Sequence, residues 1–290
     1  MADLALSFQQ SALKLPVRLV VTDSGLGGLS VCADLLKAPT GTTAKNTELL
    51  YVNAAPDPRR SYNSMESLAE KQEVFQTFLH RLANSYQPDH IFVACHTLSA
   101  LLSEIKLPEL PIQGMLELTR KAVLEKAKEF GYSRLLILAT PTTISSGVYD
   151  QLLPDTQSIA CPGLADMISS DVNGTRIIEN IRLFLSGANP PLSQGKVIVV
   201  LGCTHYGWRE NLFLEALGNI GIEPFLINPN RIAAQQLAKQ WSPDDAIRFV
   251  GAYSTPMEER RTLMHLLEDV GAFQLITALN QEEVFSFFKK

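Results

Sequence analysis

The sequence predicts an α/β fold in which the strands of mainly parallel sheets alternate with helices. Short apolar runs alternate with longer segments of helical period almost throughout the chain. Several of these runs are apolar at nearly every position, as expected for strands that helices cover on both faces. In chain order the predicted strands are RLVVTD (18–23), TELLYVN (47–53), HIFVACH (90–96), PIQGM (111–115), RLLILAT (134–140), QSIAC (157–161), KVIVVLGC (196–203), EPFLINP (223–229) and IRFVGAYS (247–254).

The segments between these runs carry helix signals. Residues 64–86 place four apolar side chains on one helical stripe, which predicts an amphipathic helix. The stripe consists of Leu68, Phe75, Leu79 and Leu82. Gly131 and Gly187 each follow a further helical segment, at the position where a glycine often ends a helix.

At 290 residues the chain is long enough for two domains. The best boundary candidates are the loop at 107–118 and the stretch at 221–230. We therefore predict one α/β domain from 1–115 together with 226–290, and a second from 116–225. They are expected to be pseudosymmetric, because a strand, a cysteine, polar residues and a helix follow one another in both. The first domain carries Asp23 and Cys95, and the second carries Cys203 and His205.

Composition and charge exclude several classes of protein. With 46% hydrophobic and 19% charged residues the chain is globular, and its net charge of −5 provides no basic surface for nucleic acid. The N-terminal residues lack the basic and apolar regions of a signal peptide, and no apolar run is long enough to span a membrane. We therefore expect a cytoplasmic protein whose four cysteines are free thiols.

Reactive side chains follow three of the predicted strands, where open α/β sheets bind their ligands. These side chains are Asp23 and Ser24 after the first strand, Cys95, His96 and Thr97 after the third, and Cys203, Thr204 and His205 after the seventh. The glycines of DSGLGGLS (23–30) suit an anion-binding loop, whereas they match a dinucleotide fingerprint only in part. Thr140, Thr142 and Thr143 either donate to a substrate or cap a helix, and both interpretations stay open.

Cys95 and Cys203 are predicted to be functional. Each has a hydroxyl and an imidazole within two residues and precedes a predicted helix, an environment that lowers the pKa of a thiol. Cys32 and Cys161 lack such neighbours and are expected to be buried core residues. Two thiols from two domains suit the inversion of a stereocentre next to a carboxylate, with one thiol on each face of the substrate. Asp23 and His205 would each assist one thiol.

Four blocks of sequence resemble the signature blocks of the glutamate racemases, within the cofactor-independent aspartate/glutamate racemase superfamily. The blocks are DSGLGGLSV (23–31), VACHTLSA (93–100), ATPTTISSGVY (139–149) and LGCTHYG (201–207), and the resemblance covers about residues 17–275. It implies two α/β domains with the active site in the cleft between them. It also implies that L- and D-glutamate are interconverted without pyridoxal phosphate or another cofactor, with D-glutamate destined for peptidoglycan.

The resemblance also assigns residues. Cys95 and Cys203 would be the two bases, assisted by Asp23 and His205 respectively. The expected substrate-binding residues are Ser24, Tyr62, Asn63, His96, Thr97, Thr140, Thr143 and Thr204. The chain departs from the family pattern at three positions, where His96 replaces an asparagine, Ser169 a glutamate and Gly207 a proline. In addition, Tyr62 and Asn63 match the family's substrate loop only loosely.

Alternative interpretations remain open. The substrate could be another acidic amino acid such as aspartate. One cysteine could be a covalent nucleophile with His205 and Asp23, as in a thiol hydrolase or decarboxylase of this fold. Zinc is disfavoured because C-H and C-T-H are not a recognised ligand spacing. The chain could also bind a ligand without turnover. Racemases of this fold are often homodimers, although the sequence identifies no interface.

Overall fold

Two parallel β-sheets organise residues 17–105 and 111–288, which the computed structural model describes. The six-stranded sheet within these residues has the order β10-β9-β2-β1-β3-β4, and the four-stranded sheet has the order β6-β5-β7-β8. The first sheet contains β1 (Val17–Asp23), β2 (Lys45–Asn53), β3 (His90–Val93), β4 (Ile112–Gly114), β9 (Trp241–Gly251) and β10 (Glu283–Val284). The second contains β5 (Arg134–Ala139), β6 (Asp155–Ala160), β7 (Gly195–Gly202) and β8 (Ile222–Ile227). The predicted α/β class is confirmed, and all nine predicted strands are present.

Helices cover both faces of each sheet. Along β1, Leu19 and Val21 belong to one apolar core and Val20 to another, and all three side chains are fully buried. The continuous apolar runs of the sequence arise because successive strand residues point to opposite faces. The helices are α1 (Leu29–Lys37), α2 (Leu68–Tyr86), α3 (His96–Ser99), α4 (Met115–Phe130), α5 (Pro141–Ser145), α6 (Leu164–Ser170), α7 (Thr175–Ser186), α8 (Glu210–Gly218), α9 (Pro229–Ala238), α10 (Met257–Asp269) and α11 (Phe273–Asn280).

Helix α2 confirms the predicted amphipathic segment with one correction. Its N-cap is Ser67, whose hydroxyl accepts a hydrogen bond from the Glu70 amide. Three of the four stripe residues, Phe75, Leu79 and Leu82, are fully buried. Leu68 was predicted to share this stripe, but it is 58% exposed. As the first residue of the helix it lies beyond the part of α2 that the core covers.

The sheet registers bring the predicted reactive strand ends together. In the larger sheet Thr22 is paired with Val93, so the chain leaves β1 and β3 side by side. In the smaller sheet Ala139 is paired with Gly202, so the chain leaves β5 and β7 side by side. Parallel strands share one carboxyl edge, and each edge therefore collects the polar residues that follow two adjacent strands.

The predicted domain division follows the same separation of strands. Strands β1 to β4, β9 and β10 share one sheet, and β5 to β8 share the other. The division into 1–115 with 226–290 and 116–225 stays a prediction, and residues 107–110 of the first proposed boundary lie outside the described residues, as does the N-terminal segment before Val17. None of the described helices has both the length and the apolar character needed to cross a membrane.

Candidate active site

A cavity of about 480 Å³ lies where the carboxyl edges of the two sheets face each other. Most of the predicted site residues line it. These are Asp23, Ser24, Asn63, Cys95, His96, Thr97, Thr140, Cys203, Thr204 and His205. Tyr62 and Thr143 are absent from its described lining. Cys32 and Cys161 are buried in apolar cores away from the cavity, as predicted.

Cys95 caps the short helix α3. Its Sγ accepts a hydrogen bond from the Leu98 amide at 3.5 Å and lies 3.1 Å from the Ser24 hydroxyl. Burial raises the pKa of the Cys95 thiol to about 12, and the charge of Asp23 adds to this rise, while the hydrogen bonds from Ser24 and Leu98 oppose it. The predicted lowering of this pKa is therefore wrong. Loss of solvation outweighs the favourable helix end, because a thiolate with no water around it is costly.

Asp23 connects the two sides of the cavity. Its carboxylate is buried, and it accepts hydrogen bonds from the Thr204 hydroxyl at 2.7 Å and from the Ser24 hydroxyl at 3.3 Å. When the Cys95 thiol donates to Ser24, the Ser24 proton is free to point at Asp23. The chain Cys95, Ser24, Asp23 is thus a route along which a proton can leave the thiol.

Cys203 has a more direct partner. Its Sγ lies 3.8 Å from Nδ1 of His205. Burial raises the pKa of the Cys203 thiol well above its ordinary value, and the charges of Cys95 and Asp23 add to this rise. Burial lowers the pKa of His205, opposed in part by the charges of Asp23 and Asp166. Here too the prediction of a lowered thiol pKa is wrong. The neutral imidazole has an unprotonated ring nitrogen that can accept the thiol proton, but both pKa shifts make that transfer costly.

Three threonine hydroxyls form a closed triangle at the junction of the two sheets. Thr97 lies 3.0 Å from Thr140 and 3.2 Å from Thr143, and the last two lie 3.0 Å apart. Thr97 belongs to α3, which follows strand β3 of the larger sheet. Thr140 and Thr143 belong to the turn that begins α5, which follows strand β5 of the smaller sheet. The Thr140 hydroxyl also accepts from the Thr143 amide, so it caps α5 and lines the cavity at the same time.

His96 lines the cavity, but its ring contacts lie elsewhere. Nε2 is 3.5 Å from the Thr119 hydroxyl and the ring centroid is 6.2 Å from that of Tyr149. Among the described residues Nδ1 has no hydrogen-bond partner. Burial lowers the pKa of His96 to about 3, so the ring is neutral near pH 7. Direct contact between this ring and a substrate stays a prediction.

Tyr62 and Asn63 lie in different environments. Tyr62 is 1% exposed, its ring packs edge-on against Phe75 with centroids 6.2 Å apart, and its hydroxyl has no hydrogen-bond partner among the described residues. It therefore packs in the apolar core beneath the loop, whereas Asn63 lines the cavity. Ser169, at the position where the resemblance leads us to expect a glutamate, also lines the cavity.

Five charged residues that line the cavity were missed from the sequence. They are Asp57, Arg59, Asp166, Glu258 and Glu259. None directly follows a sheet strand, so the rule that located the other residues gives no signal for them. Burial raises the pKa of Glu259, and the charges of Asp166 and Glu258 add to this rise. Within the described residues, no group of three or more His, Cys, Asp or Glu side chains is arranged to hold a metal ion.

Comparisons with known proteins identify the family. No family model matches the chain. Glutamate racemase from Aliarcobacter butzleri is 30% identical over 212 residues, which cover 68% of this chain and 75% of that protein. Glutamate racemase isoform RacE1 from Bacillus anthracis superposes with a TM-score of 0.68 at 20% identity, covering 93% of this chain and 97% of that one.

A second solved structure has the same fold. Escherichia coli glutamate racemase, crystallised with L-glutamate and an activator, gives a TM-score of 0.62 at 20% identity and covers 88% of this chain and 96% of that one. The sequence match to the Aliarcobacter protein is the stronger finding, because the identity reaches 30% and the match covers three quarters of that protein's length. The chain therefore belongs to the glutamate racemase family of amino-acid racemases.

Proposed function

We propose that this racemase interconverts L- and D-glutamate by a two-base mechanism in which Cys95 and Cys203 are the two bases. One observation carries the proposal. The two thiols come from different sheets, line the same cavity, and each has its own proton acceptor. A reaction that removes a proton from one face of a carbon and returns one to the other face needs this arrangement.

In one direction His205 takes the proton of the Cys203 thiol, and the resulting thiolate removes the α-proton of the substrate. The Cys95 thiol then donates its proton to the opposite face of the same carbon, which inverts the centre. In the other direction the Cys95 proton leaves through Ser24 towards Asp23, the Cys95 thiolate removes the α-proton, and the Cys203 thiol donates its proton to the opposite face. The raised pKa values keep each thiol protonated for its role as an acid, and they oppose its role as a thiolate base, so the neighbouring proton acceptor must offset that cost.

The threonines would bind the groups attached to the reacting carbon. Thr97, Thr140 and Thr204 line the cavity together with the two thiols. Removal of the α-proton places charge on the neighbouring carboxylate, and fixed hydroxyl donors stabilise that charge without reorganisation. The Thr204 hydroxyl donates its single proton to Asp23 in this structure, so it would face the substrate as an acceptor, which suits the amino group, and Thr97 and Thr140 would be the donors.

Glutamate is the proposed substrate because the relative that establishes the family is named glutamate racemase. Its D-enantiomer would supply peptidoglycan. Aspartate is the alternative acidic substrate, and the two differ by one methylene group, a difference that a single assay on both amino acids resolves.

The first prediction tests the mechanism with the protein freed of pyridoxal phosphate and metals. In deuterated water the wild-type protein should exchange the α-hydrogen of glutamate, followed by NMR or mass spectrometry. Cys95→Ser and Cys203→Ser should each slow racemisation by about 10²–10⁴-fold, since each removes one acid/base group. Cys32→Ala and Cys161→Ala, at buried thiols outside the cavity, are the matched controls and should keep racemase activity.

Three outcomes would contradict the proposal. Equal sensitivity of all four cysteines would mean that loss of packing, not of chemistry, explains the effects. A covalent adduct trapped on one cysteine, with the other dispensable, would indicate a nucleophilic mechanism. Binding of glutamate or aspartate without exchange would indicate a protein that has lost turnover.

A further inference from the structure

Asn230 lies behind the cavity, in the first turn of α9, and is 1% exposed. Its Nδ2 donates hydrogen bonds to the Thr204 carbonyl oxygen at 2.8 Å and to the Ser30 hydroxyl at 2.5 Å. A carbonyl oxygen only accepts, so the nitrogen of the amide must face Thr204. The orientation of this side chain is thereby fixed, although its Oδ1 has no partner among the described residues.

The two acceptors belong to the two halves of the active site. Ser30 lies in α1, directly after the glycine loop (residues 23–28), and its hydroxyl donates to the Gly27 carbonyl at 2.8 Å. Thr204 follows Cys203. A Cβ at Gly27 would lie 2.4 Å from the Thr204 hydroxyl and 2.5 Å from Nδ1 of His205. The glycine loop and the Cys203–His205 turn therefore contact each other, and Asn230 is hydrogen-bonded both to Thr204 in the turn and to Ser30 next to the loop.

Gly207 provides the space that Asn230 occupies. A Cβ at Gly207 would lie 2.4 Å from Nδ2 of Asn230 and 3.1 Å from Oδ1 of Asn228. Real Cβ atoms do not approach that closely, so any side chain at position 207 would displace the amide. This explains why the chain has a glycine at a position where the resemblance leads us to expect proline.

We propose that Asn230 is a positioning residue that fixes the Cys203–His205 turn against the glycine loop, and that Gly207 is its structural partner. Asn230 is absent from the described lining of the cavity, so it acts through Thr204 and Ser30. The proposal rests on the proposed two-cysteine mechanism, which needs both thiols at fixed positions. A displacement of about 1 Å in such a site can cost about 10²-fold in rate.

The experiment measures two properties of the purified full-length protein. The first is racemisation of glutamate, separated into kcat and KM. The second is the rate at which iodoacetamide alkylates Cys203 relative to Cys95, resolved by mass spectrometry of the labelled peptides. The alkylation ratio reports the environment of each thiol and needs no turnover. It therefore tests the positioning even if wild-type protein fails to exchange glutamate, a result that would overturn the proposed function alone.

Asn230→Ala should lower kcat by about 10- to 100-fold and change the alkylation ratio at least threefold, because the turn loses its support. Asn211→Ala is the matched control, since this exposed asparagine on the neighbouring helix α8 makes neither contact. The control should match the wild type in both measurements. Values of Asn230→Ala within twofold of the wild type would overturn the proposal.

Gly207→Ala tests the same contact from the other side and carries the test if Asn230→Ala fails to fold. Its methyl group should displace the Asn230 amide and give the same loss of kcat and the same change in alkylation. In the double variant Asn230→Ala/Gly207→Ala the new methyl group at position 207 meets no amide. The loss of kcat should therefore be smaller than the product of the losses in the two single variants. Multiplicative losses would refute the pairing of Gly207 with Asn230.

Discussion

At the scale of single residues, burial decides the protonation states in the site. Cys95 has a helix start beside it and the Ser24 hydroxyl at 3.1 Å, yet its pKa is raised to about 12. His96 shows the same effect with the opposite sign, since burial disfavours its cationic form. In both cases the neutral form is favoured, because desolvation penalises a charge that few fixed dipoles compensate.

His96 gives a prediction about stability and pH. Its pKa is about 3 in the folded protein and 6.5 in the unfolded chain, so the unfolded chain binds more protons between these values. The contribution of His96 to stability is therefore complete above pH 6.5 and is lost as the pH falls towards 3. Between pH 7 and pH 5 the loss is about 2 kcal/mol.

The measurement is the free energy of unfolding in denaturant at pH 7 and pH 5. His96→Asn lacks this titration, so its free energy of unfolding should fall by about 2 kcal/mol less than that of the wild type over the same interval. The other histidines whose pKa is lowered, His90 and His205, are present in both proteins, and their contributions cancel in the comparison. Identical pH dependence of the two proteins would refute the assignment.

At the scale of elements, glycines end two helices in different ways. Both Gly131 after α4 and Gly187 after α7 are helix-ending residues, as predicted. Gly131 has φ 68° and ψ 28°, in the left-handed region. Gly187 has φ −83° and ψ 3°, which any residue can adopt. The sequence marks both helix ends equally, and only the backbone distinguishes a required glycine from a permitted one.

This difference predicts opposite effects of the same substitution. Gly131→Ala should lower the free energy of unfolding by about 1–2 kcal/mol, because an L-residue is strained in the left-handed region and no neighbour within 4 Å complicates the result. Gly187→Ala should raise it by roughly 0.4–1 kcal/mol, because alanine fits there and reduces the entropy of the unfolded chain. Chemical denaturation of both variants tests this, and equal losses at the two sites would contradict it.

At the scale of the whole molecule, the two halves together set the charge of the cavity. Five carboxylates line it, namely Asp23, Asp57, Asp166, Glu258 and Glu259. Arg59 is the one guanidinium in that described lining, and no ion pair of the described residues includes it. Its neighbour Arg60 instead pairs with Glu70. A substrate with two carboxylates would meet repulsion from most of this wall, and Arg59 is the available counter-charge.

Arg59→Ala should therefore raise the KM for glutamate about tenfold or more, since a hydrogen bond to a charged group contributes about 1.5–3 kcal/mol. The KM for glutamine, which lacks the distal charge, should change less. Arg60→Ala is the matched control and should leave the KM for glutamate within about twofold of the wild type, because surface ion pairs contribute little. Racemase assays with both amino acids give these values, and similar effects of the two variants would contradict the role of Arg59.

The sequence by itself determined nine of the ten described strands, the α/β class, the family and the pair of cysteines at strand ends, and it missed only the short strand β10. These follow from local patterns, because a strand buried on both faces needs an apolar run and the carboxyl edge of a parallel sheet collects the residues that follow it. The same reasoning predicted that Asp23 and His205 assist the thiols, and in the structure His205 lies beside Cys203 while Ser24 links Asp23 to Cys95.

Only the tertiary structure decided the rest. The raised thiol pKa values, the packing of Tyr62 in the core, the acidic cavity lining with Arg59 and the hydrogen bond from Asn230 to Thr204 all depend on residues distant in sequence. Burial and long-range charge are sums over neighbours that no local pattern specifies. The sequence therefore predicted the candidate groups, and the packing of the two sheets determined their surroundings and their positions.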